Sequence, residues 1–385
     1  MLKNYDPTQR ELLTLHCVIE LLSPLSHIGE VSGNVSNLKT VKLLDFEGSP
    51  RSCFVYSGNA LRNGILRRVG IAHVLQECQL KVNPDVHHTL FAGGRIDGST
   101  ANDMDLDWQI RQLMPWLSVL GTAKPVGVFG SRASQMIQGR INVGSAYLVC
   151  YESAPLVFAQ FPGILPAHIL SRIQELQACR ITGDPFTIAS QAEIDRWQRA
   201  KELHLPYLRK ELRTWTEYLT IEQTTRRDST EDPNLAKYLL PKNDAPQLQG
   251  DLFRRKKEEP KKEKSDKMIA ADRLIMAGSR LYSRWDLNTT EVETGWVIDT
   301  LLQFAKSPYL GGKGNRGNGL CKLDFWFQRG DQRGHFLSVA TGSQTLSEPA
   351  TAAHSRYREY FEAWRQYLDE AKSNSEIRGL LNATA

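Results

Sequence analysis

The sequence predicts an α+β fold, and three observations predict it. They are an alternating apolar run over residues 12–22, a second over 280–287 followed at once by a capped amphipathic helix, and a third strand-like run over 320–327. In the first run Thr14, His16 and Glu20 fall between apolar residues at alternate positions, the period of a half-buried strand. Ser23-Pro24 ends it. Residues 26–36, with Gly29, Gly33 and Asn34, predict an irregular loop and a candidate ligand-facing surface ahead of the apolar stretch 40–44.

A helix is expected from Ser57, because Leu61, Ile65, Val69, Ala72 and Leu75 recur at helical spacing, with Arg62 and Arg67 off that stripe. The span 97–107 is acidic and turn-rich. Asp103, Asp105 and Asp107 resemble the opening of a calcium loop, yet no Gly follows at position six nor Glu at position twelve, so a surface acidic loop is predicted. Residues 139–150 predict one strand. Residues 191–219 are helix-biased, and Thr220 to Thr230 turn β-branched and polar, as an exposed hairpin arm with Arg226-Arg227 at its tip would. The charged run 243–267 predicts a solvated loop, since its Glu residues offset much of its positive charge.

In the last third, Thr290 and Glu293 stand at capping-box spacing before Ile298, Leu301, Leu302 and Ala305, and Pro308 stops the helix. The order strand, helix, strand, strand, helix, strand fits a split β-α-β, ferredoxin-like core with long insertions. Near the C-terminal end Tyr357, Tyr360, Phe361, Trp364 and Leu368 form a helical stripe that reads as core or subunit contact before it reads as a base-stacking surface.

Composition bounds the function. At 385 residues with 41% apolar content the chain can bury a core of its own. Lys and Arg outnumber Asp and Glu by 48 to 43, so a polyanionic partner is allowed but not required. The six cysteines stand singly without a C-x-x-C pair, which argues against a zinc site and a disulfide framework. His27 has no partner at ligand spacing, and His87-His88 point apart in any regular element, so no metal or cofactor is expected. The polar first ten residues and the lack of a run near the roughly 20 apolar residues that span a bilayer predict a cytoplasmic chain.

The densest chemical signal is Leu310-Gly-Gly-Lys-Gly-Asn-Arg-Gly-Asn-Gly-Leu, with five glycines in nine residues. Such a loop can present consecutive backbone N–H groups to a phosphate, with Lys313 and Arg316 adding charge; the alternative is a tight helix-to-strand connection. It is not a Walker A loop, because Gly314 replaces the Ser or Thr that would hold magnesium and a strand follows. The helix start from Ser57 to Arg62 suits a phosphate in the same way, or is a helix cap alone. Arg226 and Arg227 are phosphate contacts or solvated charges.

Four pieces in order resemble one family: Leu25-Ser-His-Ile-Gly; Tyr56-Ser-Gly-Asn-Ala-Leu-Arg-Asn-Gly-Ile-Leu-Arg; Val128-Phe-Gly-Ser leading to Gly139-Arg-Ile-Asn-Val; and Ala277-Gly-Ser-Arg-Leu-Tyr with the late glycine loop. Together, over about 130 residues, they resemble the backbone subunits of multi-subunit CRISPR effector complexes in the RAMP superfamily, most like the type IV subunit. The resemblance implies an RNA-recognition-like palm from 11–80, 139–152 and 275–328, a finger insertion over 81–138, a helical and thumb insertion over 190–268 and a C-terminal helix over 351–372. It also implies copies stacked head to tail along a CRISPR RNA, with other effector subunits and a target DNA or RNA met by guide pairing. Ser57, Asn59, Arg62, Lys313, Asn315 and Arg316 are then expected at the guide's backbone, with Gly311, Gly312, His27, Lys39, Arg67, Arg226 and Arg227 beside them. Contact to phosphates alone suffices, because the guide's letters are read by base pairing. In place of the aspartate of target-cleaving relatives stands Lys39, with no acid between Val31 and Leu44, so no target cleavage and no enzyme activity are expected. The alternatives are an endoribonuclease of the same superfamily that processes precursor RNA, and a nucleotide- or phosphate-binding enzyme built on the Gly311 loop.

Overall fold

The computed structural model describes residues 5–95, 103–132, 134–181, 189–226, 268–340 and 353–381. In chain order the strands are β1 Glu11–Leu21, β2 Ile28–Ser32, β3 Val35–Leu38, β4 Thr40–Leu44, β5 Pro50–Tyr56, β6 Thr122–Lys124, β7 Gln135–Ile137, β8 Ile141–Val143, β9 Ala146–Leu148, β10 Leu219–Arg226, β11 Met268–Ile275, β12 Arg280–Thr289, β13 Cys321–Arg329 and β14 Gln332–Val339. The large sheet runs β14-β13-β1-β12-β9-β5-β4, and β8 also pairs with β12. Its neighbours are antiparallel throughout. A second sheet runs β10-β11-β3-β2, and β6 pairs with β7. With helices on both faces of the large sheet, the protein is an α+β fold.

Alternation on β1 decides what lies on each face. Leu15, Cys17, Ile19 and Leu21 are buried toward a helical layer that contains Leu61, Ile65, Trp296 and Leu301. His16 and Val18 point to the other face, where Val18 and Tyr282 pack with Tyr151, Val157, Ile164 and Leu208. The second layer comes from the helices Ala154–Gln160, Ala167–Ala178 and Gln191–Leu212.

The capped helix forms as its sequence predicts, over Glu291–Phe304. Thr290 accepts from the Glu293 amide, and Glu293 accepts from the Thr290 amide at 3.0 Å. It is not amphipathic in its surroundings, because it is buried nearly all round between the sheet and the helix Ala353–Lys372. Gly295 allows this: a Cβ there would meet the Tyr360 carbonyl at 2.0 Å. The aromatic stripe of the last long helix is core, with Trp364 donating to Asp299 at 2.8 Å.

Several expectations are corrected. The irregular loop over 26–36 is the hairpin of β2 and β3, which joins the second sheet with β3 parallel to β11. Its residues looked like loop because both strands are short and lie mostly at the surface. The acidic span is no loop at its end: Asp103 caps the helix Met104–Leu113, and Asp105 and Asp107 sit in its positive first turn. Residues 139–150 hold two strands, β8 and β9, split where the Gly144 amide donates to the Arg284 carbonyl at 2.8 Å. The expected arm is realised as far as Arg226, but its partner strand is the distant β11, from Leu219↔Ile275 to Arg226↔Met268. Arg227, the rest of the arm to Thr230, and the charged run 243–267 lie outside the described residues.

The helix from Ser57 begins as predicted and then changes pitch. Gly58–Leu61 and Ile71–Glu77 are α, while Arg62–Gly70 between them is a π-helix with i→i+5 bonds. Wider turns rotate the later residues, so Ile65, Leu66, Gly70, Ile71 and Val74 are buried and Ala72 is exposed. Among the described residues no helix is long and apolar enough to cross a membrane.

Candidate nucleic-acid interface

The glycine loop begins and ends at one point. The Leu310 amide donates to the Gly319 carbonyl at 2.8 Å, and Gly319, at φ 90°, has no room for a Cβ, which would lie 1.8 Å from the Leu310 oxygen. Gly311, at φ 82°, packs so close to the Ser26 carbonyl that a Cβ would meet it at 2.4 Å. These two glycines serve the connection itself. The loop's amides then divide into two sets. Those of Arg316, Gly317, Asn318 and Gly319 donate to carbonyls, and that of Gly311 donates to the Tyr56 hydroxyl. Those of Gly312, Lys313, Gly314 and Asn315 find no acceptor among the described residues. Four successive donors are therefore open to an external oxygen, at a surface where Gly312 and Asn315 are exposed.

The loop's cations are not free, contrary to expectation. Lys313 Nζ pairs with Asp272 Oδ1, and Arg316 pairs with Asp272 Oδ2 at 3.1 Å. Asp272 lies on β11 opposite Ser36 and is only 4% exposed. Burial alone would raise its carboxyl; hydrogen bonds from Lys313 and Ser36, with the charges of Lys313 and Arg316, outweigh that and hold it below its ordinary value. Two cations share one carboxylate, so one positive charge remains over. Asn318 also donates to Glu222 of β10 at 2.8 Å, fastening the loop to the second sheet.

The loop meets two other segments of the resemblance. The His27 ring lies 4.3 Å from the Tyr56 ring, and the Ser57 amide donates to His27 Nε2 at 3.2 Å. Burial, and then the charge of Lys39, push the His27 imidazole down to about 4. It is therefore neutral near pH 7 and, with Nε2 taken by the Ser57 amide, brings a ring and an Nδ1–H donor to the site, but no charge. The Lys39 amide donates to the His27 carbonyl at 2.8 Å, which places exposed Lys39 at the same edge. His27, Lys39, Ser57 and Gly311 to Arg316 are thus brought together from three parts of the chain.

The helix start is less open than its sequence suggests. The Ser57 side chain caps the Ala60 amide at 3.3 Å, and the Gly58 amide donates to Ser145 Oγ at 3.3 Å. Asn59 and Arg62 instead line a cleft of about 380 Å³ with Asn142, Tyr147, Tyr282 and Arg284. Arg67 is a correction: it is 2% exposed and donates to the carbonyls of Leu90 at 2.7 Å and Gly121 at 2.8 Å. The π-helical turn swings it inward, where burial pushes its guanidinium down to about 10. Arg226 closes β10 opposite Met268. Asp272, Tyr147 and Arg284 were missed in the sequence. The alternation over 280–287 carried a signal for Arg284, since the even positions must face away from Leu281, Trp285 and Leu287. Among the described residues no cluster of three His, Cys, Asp or Glu side chains could hold a metal ion.

No protein-family model matches the sequence, and no curated protein matches it. Solved structures resemble it in shape. A chain of a Type IV-B CRISPR complex superposes with a TM-score of 0.45 at 14% identity, over 88% of this chain and 95% of that one. The crystal structure of Thermofilum pendens Csc2 does so with a TM-score of 0.32 at 13% identity, over 98% of this chain and 79% of that one.

Proposed function

We propose that this chain is a CRISPR RNA-binding backbone subunit of a type IV effector complex, gripping the guide's phosphates without reading its sequence and cleaving neither guide nor target. One observation carries the proposal: His27, Tyr56, Ser57 and Gly311, from segments that resemble the family one by one, meet beside the four open amides of Gly312 to Asn315. Backbone donors recognise any nucleotide alike, which is what a subunit spaced along a guide requires. The palm is ferredoxin-like, and what supports this is the order β13-β1-β12-β9, with the helix from Ser57, followed by further inserted helices, between β1 and β9 in the chain and the capped helix between β12 and β13. The paired strands β10 and β11 root the thumb, and residues 81–138 form the finger. Further copies stack head to tail, other effector subunits close the array, and target DNA or RNA joins by guide pairing.

The test is whether RNA copurifies with the protein and whether nuclease digestion of it leaves fragments that lengthen in equal steps. Protein free of RNA that also fails to bind CRISPR repeat RNA would sink the proposal. Discrete products from repeat RNA incubated with the purified protein would overturn the claim that it does not cleave.

A further inference from the structure

We propose that the cleft between Asn59, Arg62, the β8–β9 turn and Arg284 holds one unstacked base of the bound RNA; this rests on the RNA-binding reading above and names a subsite within it. The cleft's volume, about 380 Å³, lies in the range of small-molecule sites, roughly 300–1,000 Å³. It therefore suits a single nucleotide and excludes a duplex.

Its lining chemistry is that of a base edge. The side-chain amides of Asn59, Asn142 and Gln160 all reach the cleft, and none hydrogen-bonds to another described residue. Each offers a donor and an acceptor, the mixed pattern that Watson–Crick and Hoogsteen edges present. The half-buried ring of Tyr147 supplies a π-face. Arg62 also lines the cleft and brings a cation to it. Arg284 and Asp286, paired at 2.9 Å, also line the cleft and together add no net charge to it.

The remainder of this sheet face is already occupied by the chain's own rings. Phe161 stacks on His16, with centroids 4.8 Å apart and planes 15° apart, and lies nearly parallel to Tyr282 at 5.9 Å. Trp326 also leans on it, with centroids 5.5 Å apart. A base reaching the sheet from the Ser57 edge therefore finds its central aromatics covered, and the cleft beside them open.

The experiment is photo-crosslinking of the full chain to single-stranded RNA carrying 4-thiouridine at every uridine, with adducts mapped by mass spectrometry and binding followed in parallel. An adduct on Tyr147, the partly exposed ring of the cleft, is expected. The exposed pair Asn142→Ala/Gln160→Ala should lower that adduct's yield while adducts elsewhere persist, and should weaken binding by roughly five-fold or more, the smaller end of what one stacked base contributes. RNA that binds yet leaves no adduct in the cleft, or an unchanged yield in the double variant, overturns this subsite alone. RNA that does not bind at all overturns the proposed function as well.

Discussion

The amide of Gly311 donates to the hydroxyl of Tyr56 at 2.9 Å across 255 positions of sequence. Tyr56 is buried and its ring lies against His27, so a single phenol positions both the glycine loop and the hairpin edge. Tyr56→Phe removes the acceptor and keeps the ring. It should cost about 1 kcal/mol of stability by denaturant unfolding and weaken RNA binding severalfold. Unchanged affinity would mean that the loop's position is set elsewhere.

Lys313 and Arg316 share Asp272, and this sets the size of their electrostatic effect. Changing both to Ala takes the trio with Asp272 from one net positive charge to one negative, so it should weaken binding to all RNA sequences alike and flatten the salt dependence by about one to two units of slope. A loss confined to one RNA sequence would count against phosphate contact.

Asp272→Asn works in the opposite direction. With the carboxylate gone, both cations are released toward solvent, so RNA affinity and salt slope should rise. Stability should fall, because the ion pairs to the buried side of the loop are lost. Affinity measured across a salt series decides it, and weaker binding would contradict the arrangement.

Arg67→Gln should leave RNA affinity and salt slope unchanged, because the guanidinium is bonded to the Leu90 and Gly121 carbonyls inside the fold. Its cost is in stability, about 3 kcal/mol for lost charged hydrogen bonds. Denaturant unfolding and a salt series on one preparation separate the two effects.

His27 gives a pH prediction. Its imidazole titrates at about 4 in the folded chain against 6.5 for the free side chain. A base whose folded value is lowered is neutral in both states above pH 6.5, so nothing is lost there. As pH falls from 6.5 toward 4 the unfolded chain takes up the proton first, and stability declines across that window. NMR titration should place the His27 ring near 4 and not near 6.5, and RNA binding between pH 6 and 8 should owe nothing to its charge.

The sequence by itself determined what acts over a few residues: the alternation of β1 and β12, the Thr290–Glu293 cap, the aromatic stripe from Tyr357 to Leu368, and a glycine cluster able to expose amides. Hydrophobic period and capping depend on neighbours within a turn or two, so they are legible without the fold. The tertiary structure decided which charges are free. Asp272 faces Lys313 and Arg316 only because β11 lies beside β3, Arg67 turns inward only because the π-helix widens its turn, and Asn59 and Arg62 share a cleft with Tyr147 only because β9 pairs with β12. Charges and open donors gain or lose partners through strand order and helical pitch, and those follow from burial of the whole chain rather than from any short stretch of it.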